Sequence, residues 1–128
     1  MPSWLRFGKP EPRLEGAPAV RRLKTYSAES GFVFQYVYEG SRELEGDREF
    51  VFSASHDRET YYPVRVIVGA AARGVWESAN RPLSMHELYG IAKLALMSGF
   101  DGADPRNWER RVEPGAEEIG EYCRRLDY

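Results

Sequence analysis

Alternation of apolar and polar side chains predicts a set of β-strands in the first half of the chain. The clearest is "GFVFQYVYEG", where Phe32, Phe34, Tyr36 and Tyr38 share one face because successive strand side chains point to opposite sides. "REFVFSAS" and "YYPVRVIVG" alternate in the same way, and a further strand is predicted in "AVRRLKTYS". The connections "GSRELEGD" and "SHDRET" are too short for parallel crossovers, so we expect an antiparallel meander of three or four strands.

The period changes to that of an α-helix in "RPLSMHELYGIAKLALMSGFDG". Ser84 followed by Glu87 is the signature of a capping box, and Leu83 is placed to pack on Leu88 as a hydrophobic staple. Gly99 is predicted to be the residue that ends the helix. Because the second half of the segment is apolar on almost every side, we expect this helix to be buried in the core.

A second helix, amphipathic this time, is predicted at the C-terminus. It should start near Pro114, since proline is favoured in the first turn of a helix. Its apolar positions recur with helical spacing, at Ile119, Tyr122, Cys123 and Leu126. The sequence therefore predicts a two-layer α+β fold, in which the antiparallel meander is followed by a buried helix and a C-terminal amphipathic helix.

Residues 1–18 contain four prolines and two glycines without a sustained period, which predicts an irregular N-terminal arm before a single domain at 19–128. Trp4, Leu5 and Phe7 are expected to pin the arm to the fold. Residues 1–30 carry six Lys or Arg against three Glu, a net charge of +3 in a chain of net charge −2. We expect this basic segment to fold back onto the acidic remainder.

The composition, 42% hydrophobic and 30% charged over 128 residues, is typical of one folded globular domain. A single cysteine excludes an internal disulfide and any multi-cysteine zinc site. No apolar run approaches the roughly 18 residues that cross a bilayer, so no membrane association and a cytoplasmic location are expected. The negative net charge makes nucleic acid an unfavoured partner, because phosphate neutralisation dominates such binding.

The stretch "SASHDRETYYP" is the densest collection of reactive side chains. Ser55, His56 and Asp57 are adjacent, which does not favour a catalytic relay, since neighbours in extended backbone point in opposite directions. Serine and aspartate also bond nearby amides in turns. We interpret the segment as a hairpin connection, with a functional loop as the alternative.

The second histidine, His86, lies in "HELYG", but the position four residues on is Gly90 rather than the histidine of a zincin. A two-histidine site would require His56 to meet His86 at the start of the helix, with Asp57 or Glu87 as the carboxylate ligand. His56, Asp57 and His86 are therefore only weak catalytic candidates, and no metal is expected. The phosphate-binding GxxxxGK[ST] and GxGxxG motifs and the GxSxG motif are all missing, so no cofactor is expected either.

Both faces of the predicted sheet carry apolar residues, with aromatics on one and Val33, Val37, Val51 and Ile67 on the other. Either the arm and last helix cover the second face or another subunit does, which favours a homo-oligomer, a dimer above all. The favoured hypothesis is a non-enzymatic binding or interaction module that self-associates, with an unidentified protein partner. The alternatives are a small enzyme or metal-binding protein using residues 55–58 with the helix start, and a single-stranded nucleic-acid or nucleotide binder using the aromatic sheet.

Overall fold

A computed structural model describes residues 11–128, and the predicted anchors Trp4, Leu5 and Phe7 lie outside the described residues. The strands are β1 (Lys24–Ser27), β2 (Val33–Leu44), β3 (Asp47–Ser55), β4 (Tyr62–Val68) and β5 (Arg111–Val112). The helices are α1 (Ala70–Ala79), α2 (Met85–Gly102) and α3 (Ala116–Arg125). The predicted α+β class is confirmed.

The five strands form one open sheet in the order β1-β2-β3-β4-β5. The first four are antiparallel neighbours in chain order, which confirms the meander. The fifth strand was not predicted, and it pairs parallel to β4 through two residues only, opposite Arg65 and Val66. No described helix, within residues 11–128, is long and apolar enough to cross a bilayer.

The core lies between one face of the sheet and the helices. The aromatic residues Phe34, Phe50 and Phe52 of that face are fully buried and belong to one cluster with apolar residues of α2 and α3. Val51 and Ile67, on the opposite face, are not part of this cluster. The helices therefore cover the aromatic face, and the molecule has two layers.

The central helix begins as predicted. The Ser84 hydroxyl oxygen accepts a hydrogen bond from the backbone N–H of Glu87 (3.2 Å), and the Glu87 carboxylate accepts one from the Ser84 N–H (2.9 Å). From Leu88 to Phe100 only Ser98 is exposed, which confirms the buried helix. This helix positions the site described below.

Gly99 does not end the helix, contrary to the prediction, because α2 continues to Gly102. A Cβ at Gly99 would lie 2.7 Å from a methyl carbon of Val112. The glycine is therefore explained by the close approach of α2 and β5 rather than by a helix end.

The segment "GSRELEGD" is not a loop, which corrects a second prediction. β2 runs through it to Leu44, and the chain reverses in two residues, Glu45 and Gly46, with positive φ of 52° and 91°. Positive φ at both central positions is typical of a tight hairpin turn. The pairing register shifts between Tyr38 and Gly40, where β2 carries a bulge.

Two helix starts also differ from expectation. The unpredicted α1 has no side-chain cap of its own, but a carboxylate oxygen of Asp47 accepts a hydrogen bond from the Ala70 N–H at 2.8 Å. The last helix begins at Ala116 after Gly115, so it starts near Pro114 as predicted, but Pro114 precedes the helix and does not lie in its first turn.

The second face of the sheet is not covered by a helix. It holds an ion pair between the partly buried Arg42 and the buried Glu49 (2.7 Å), and Val51 and Ile67 beside it are already buried within the single chain. The argument for a dimer from this face is therefore weaker than the sequence suggested. Self-association stays a prediction.

The described part of the arm folds back onto the sheet. Glu15 and Ser41 exchange two backbone hydrogen bonds, of 2.7 and 2.8 Å, and Glu15 lies 3.6 Å from Arg48. Arg21 pairs with Glu39. An arm glutamate and Arg21, which follows the arm within the basic segment 1–30, both bind the body, so the contact is more than attraction of a basic segment to an acidic domain.

Candidate functional site

A pocket of about 730 Å³ opens between the arm, the outer part of the sheet and the first turns of α2. Its floor is formed by the aromatic side chains Tyr36, Tyr38, Phe50 and Tyr89. Its charged lining residues are Arg22, Lys24, Arg48 and Glu15, and Met85 and His86 contribute from the helix start. The pocket is within the size range of small-molecule sites, about 300 to 1,000 Å³.

The aromatic floor follows from the alternation of β2 and β3. Tyr38 contacts the ring of Tyr89 with a centroid distance of 4.8 Å and that of Phe50 at 6.5 Å. β1 pairs with β2 only as far as Lys24, opposite Tyr36, so the next aromatic residue of β2 has no β1 residue beside it. The floor is therefore left open toward the arm.

The lining is cationic. Of the three cationic lining residues, Arg48 has an acidic neighbour, Glu15. Its guanidinium also donates a hydrogen bond to the Ser41 hydroxyl at 2.8 Å. Arg22 and Lys24 have no ion-pair partner among residues 11–128. Two positive charges beside an apolar floor, without a carboxylate to neutralise them, make this pocket attractive to an anion.

A second lysine, Lys93, contacts a residue of the pocket lining. The Lys93 ammonium is 5.7 Å from the centre of the Tyr36 ring, and Lys24 is the cross-strand partner of the same tyrosine. Burial, reinforced by the neighbouring Lys24, lowers the pKa of Lys93 from 10.5 to about 8. Burial also raises the pKa of Tyr36 and of Tyr89.

The structure does not bring the two histidines together. His86 is an exposed residue of the pocket lining, which also includes Tyr38 and Phe50. His56 follows the other end of β3, where its Nδ1 lies 3.4 Å from the Tyr62 hydroxyl. The two-histidine site is therefore not formed, and no group of three His, Cys, Asp or Glu within residues 11–128 could hold a metal ion.

The segment after β3 is a turn, as interpreted from the sequence. An Asp57 carboxylate oxygen accepts hydrogen bonds from the N–H groups of Glu59 and Thr60, both 2.8 Å, and from the Ser55 hydroxyl at 3.0 Å. These bonds, the backbone ones first, lower the pKa of Asp57 to about 2. The Ser55 oxygen in turn accepts from the Arg58 N–H at 2.9 Å, so serine and aspartate are occupied in closing the turn.

Glu87, the other proposed carboxylate ligand, is also occupied. It forms two hydrogen bonds with the Arg81 guanidinium, of 2.8 and 2.7 Å, besides its capping bond to Ser84. The hydrogen bonds from Arg81 make the largest contribution to lowering the pKa of Glu87 to about 2.

Sequence reasoning missed this pocket, because its walls come from distant segments. The sequence offered one signal, the scarcity of lysine, with three against fifteen arginines. Only the structure shows that two of these lysines, Lys24 and Lys93, meet at one tyrosine. Comparison of the chain with protein-family models, with curated proteins and with solved structures gave no match.

Proposed function

We propose that the protein is a small-molecule binding protein whose ligand is an anion with a flat, apolar body. The observation that carries the proposal is the presence of Arg22 and Lys24, without acidic partners among the described residues, beside an aromatic floor. Ligand sites commonly combine an apolar surface with a few polar groups that fix orientation. The favoured sequence hypothesis, a non-enzymatic binding module, is thereby narrowed to one place and one ligand class.

Each part of the pocket has a separate role in this proposal. The rings of Tyr38 and Tyr89 offer an apolar surface on which a flat ligand body stacks, as aromatic side chains do with each other. The cations then bind the ligand's carboxylate, sulfonate or phosphate at the rim. The rest of the aromatic face of the sheet is packed under α2, so one pocket is open to a ligand. A single-stranded nucleic acid would need an extended aromatic surface for several stacked bases, which makes it a less suitable ligand.

The test compares naphthoate with uncharged naphthalenemethanol, which has a body of the same kind but no charge. We expect naphthoate to bind more tightly, to weaken with added salt, and to shift the NMR signals of pocket residues. Arg22→Gln and Lys24→Gln should each weaken naphthoate binding about tenfold, equivalent to about 1.4 kcal/mol, and leave naphthalenemethanol unchanged. Tyr89→Ala should weaken both ligands.

The matched control is Arg124→Gln, which removes the same charge from an exposed position on α3. It should leave the affinity for both ligands unchanged. Equal affinity for the two ligands, or an effect of Arg124→Gln as large as that of Arg22→Gln, would show that the pocket is not an anion site.

Self-association is a separate proposal, supported by the partly apolar second face, where Val33 is 42% exposed. A light-scattering mass of two chains at micromolar concentration would support it, and a mass of one chain would contradict it. Its outcome does not affect the proposed ligand.

A further inference from the structure

Lys24 and Lys93 reach the same side chain from two elements. Lys24 is the register partner of Tyr36 across β1 and β2, and the Lys93 ammonium, from α2, lies over the Tyr36 ring. Paired residues of neighbouring antiparallel strands point to the same face, so Lys24 points toward the helix that carries Lys93. Tyr36 and Lys24 both line the pocket, and the Lys93 amine, which is not itself a lining residue, lies against the Tyr36 ring.

The groups that face Lys93 come from three elements. They are Lys24 from β1, Tyr36 from β2 and, one turn earlier on α2, Tyr89. No carboxylate forms an ion pair with Lys93 among residues 11–128. Burial and a positive neighbour both disfavour the charged form of an amine, which leaves a larger share of Lys93 unprotonated near neutral pH.

The residue type matters at this position. The chain supplies cations almost entirely as arginine, fifteen against three lysines, and an arginine side chain keeps its proton at any ordinary pH. A lysine can lose its proton and become a nucleophile. Amines that are desolvated or placed next to another cation form Schiff bases with carbonyl compounds.

We infer that Lys93 captures its ligand covalently and reversibly, by forming an imine with an aldehyde or ketone group of the anion that the pocket binds. This inference rests on the proposed function, since Arg22 and Lys24 hold the anionic end. The ligand class is therefore an oxo acid with a flat, apolar body that carries one carbonyl group and one anionic group.

The reaction is balanced without an oxidant or reductant. The unprotonated Lys93 nitrogen attacks the carbonyl carbon, a C–N bond forms, and the π electrons of the C=O bond move to oxygen. That oxygen then leaves as water with the two hydrogens of the amine, and a C=N bond remains. The Lys24 ammonium, from the strand residue paired with Tyr36, can give a proton to the departing oxygen and recover one from the iminium nitrogen.

The test uses para-carboxybenzaldehyde, with sodium cyanoborohydride to reduce any imine to a stable amine. Peptide mapping by mass spectrometry then gives the extent of labelling at Lys93, Lys24, Lys9 and the α-amino group of the full chain. We expect Lys93 to be labelled at least tenfold faster than the other lysines. Its rate should rise with pH through about 8, following the pKa of its amine.

The α-amino group serves as an internal reference, because it also titrates near pH 8. An excess of para-toluate, which has the anion and the ring but no carbonyl, should protect Lys93 and leave the α-amino group unprotected. Benzaldehyde, which lacks the anion, should label Lys93 no faster than it labels the α-amino group.

One variant separates capture from binding. Lys93→Arg keeps the charge but cannot form the imine, so it should lose the pocket label and still bind para-toluate. Lys24→Met removes a charge that both holds the anion and lowers the pKa of Lys93, so it should slow labelling of Lys93 at pH 7, whereas Lys24→Arg should preserve it.

Labelling of Lys93 that para-toluate suppresses supports the inference. Labelling spread evenly over the lysines, or labelling of Lys93 that para-toluate does not affect, overturns it. If para-toluate binds at the pocket and Lys93 stays unlabelled, the covalent step is wrong and the proposed binding function stands. If para-toluate does not bind at all, both are wrong.

Discussion

The ring of Phe34 in β2 stacks on the ring of Phe100 in α2, with centroids 4.2 Å apart and planes 10° from parallel. Both side chains are fully buried. Trp108, from the segment before β5, meets the edge of the same Phe100 ring at 6.2 Å. Phe100 therefore joins the sheet, the end of the central helix and the segment that leads to β5.

Phe100→Ala should lower the free energy of unfolding by about 3 to 5 kcal/mol, because it removes a buried ring and leaves a cavity. Ser98→Ala is the control, since Ser98 is the exposed neighbour on the same helix. Urea unfolding followed by circular dichroism measures both. A loss below about 1 kcal/mol in Phe100→Ala would mean that the stacked pair is not a central part of the core.

Gly40→Ala should detach the arm from the sheet. Gly40 has φ of 125°, and a Cβ there would lie 2.7 Å from the Glu15 carbonyl oxygen. We expect a loss of about 1 to 3 kcal/mol and faster hydrogen exchange at the Glu15 and Ser41 amides. Gly74→Ala, in the interior of α1 with open space around it, should instead stabilise by about 0.5 to 1 kcal/mol. Equal effects of the two substitutions would contradict the arm contact.

Asp57 should titrate with a midpoint near pH 2 when its carboxyl signal is followed by NMR. Its folded pKa lies below the ordinary 3.8, so its carboxylate supports the fold above about pH 4, and this support is lost as the pH falls through 2. Asp57→Ala should speed hydrogen exchange at the Glu59 and Thr60 amides. Glu59→Ala, an exposed neighbour, should not affect the Thr60 amide. A midpoint near 3.8 would show that the turn bonds do not form in solution.

Lys93 should titrate near pH 8 when its dimethylated amine is followed by carbon NMR. Lys24→Met should raise this midpoint toward 10.5, though not fully, since burial is the larger cause of the shift. Lys24→Arg should leave it low, because the positive neighbour remains. An unchanged midpoint in Lys24→Met would mean that the two amines are not in contact.

Much of the fold was accessible from the sequence because its signals are local. The capping box needs only Ser84 and Glu87, three residues apart, and the aromatic alternation of β2 is visible within one strand. The Asp57 turn is equally local, since its acceptors and donors lie within five residues of each other.

The remaining elements depend on contacts between distant residues. The N-terminus of α1 is capped by Asp47, which belongs to β3. No residue of α1 is fully buried, so the helix has no strongly apolar face. β5 has only two residues, and its strand conformation depends on pairing with β4, which is distant in sequence. The second half of β2 lacks apolar alternation because it carries Arg42, which forms an ion pair with Glu49 of β3. The pocket was the least predictable feature, because Lys24 and Lys93 are far apart in sequence and lie on different elements.

The outer edge of β2 is shared between two short segments. β1 pairs with Val33–Tyr36, and beyond the bulge the arm takes over at Ser41 through Glu15. A twelve-residue strand with an unpaired edge would present a row of free N–H and C=O groups to any other chain. The arm thus also protects the sheet against strand addition and aggregation, and the glycine at the bulge is what lets it come close enough to do so.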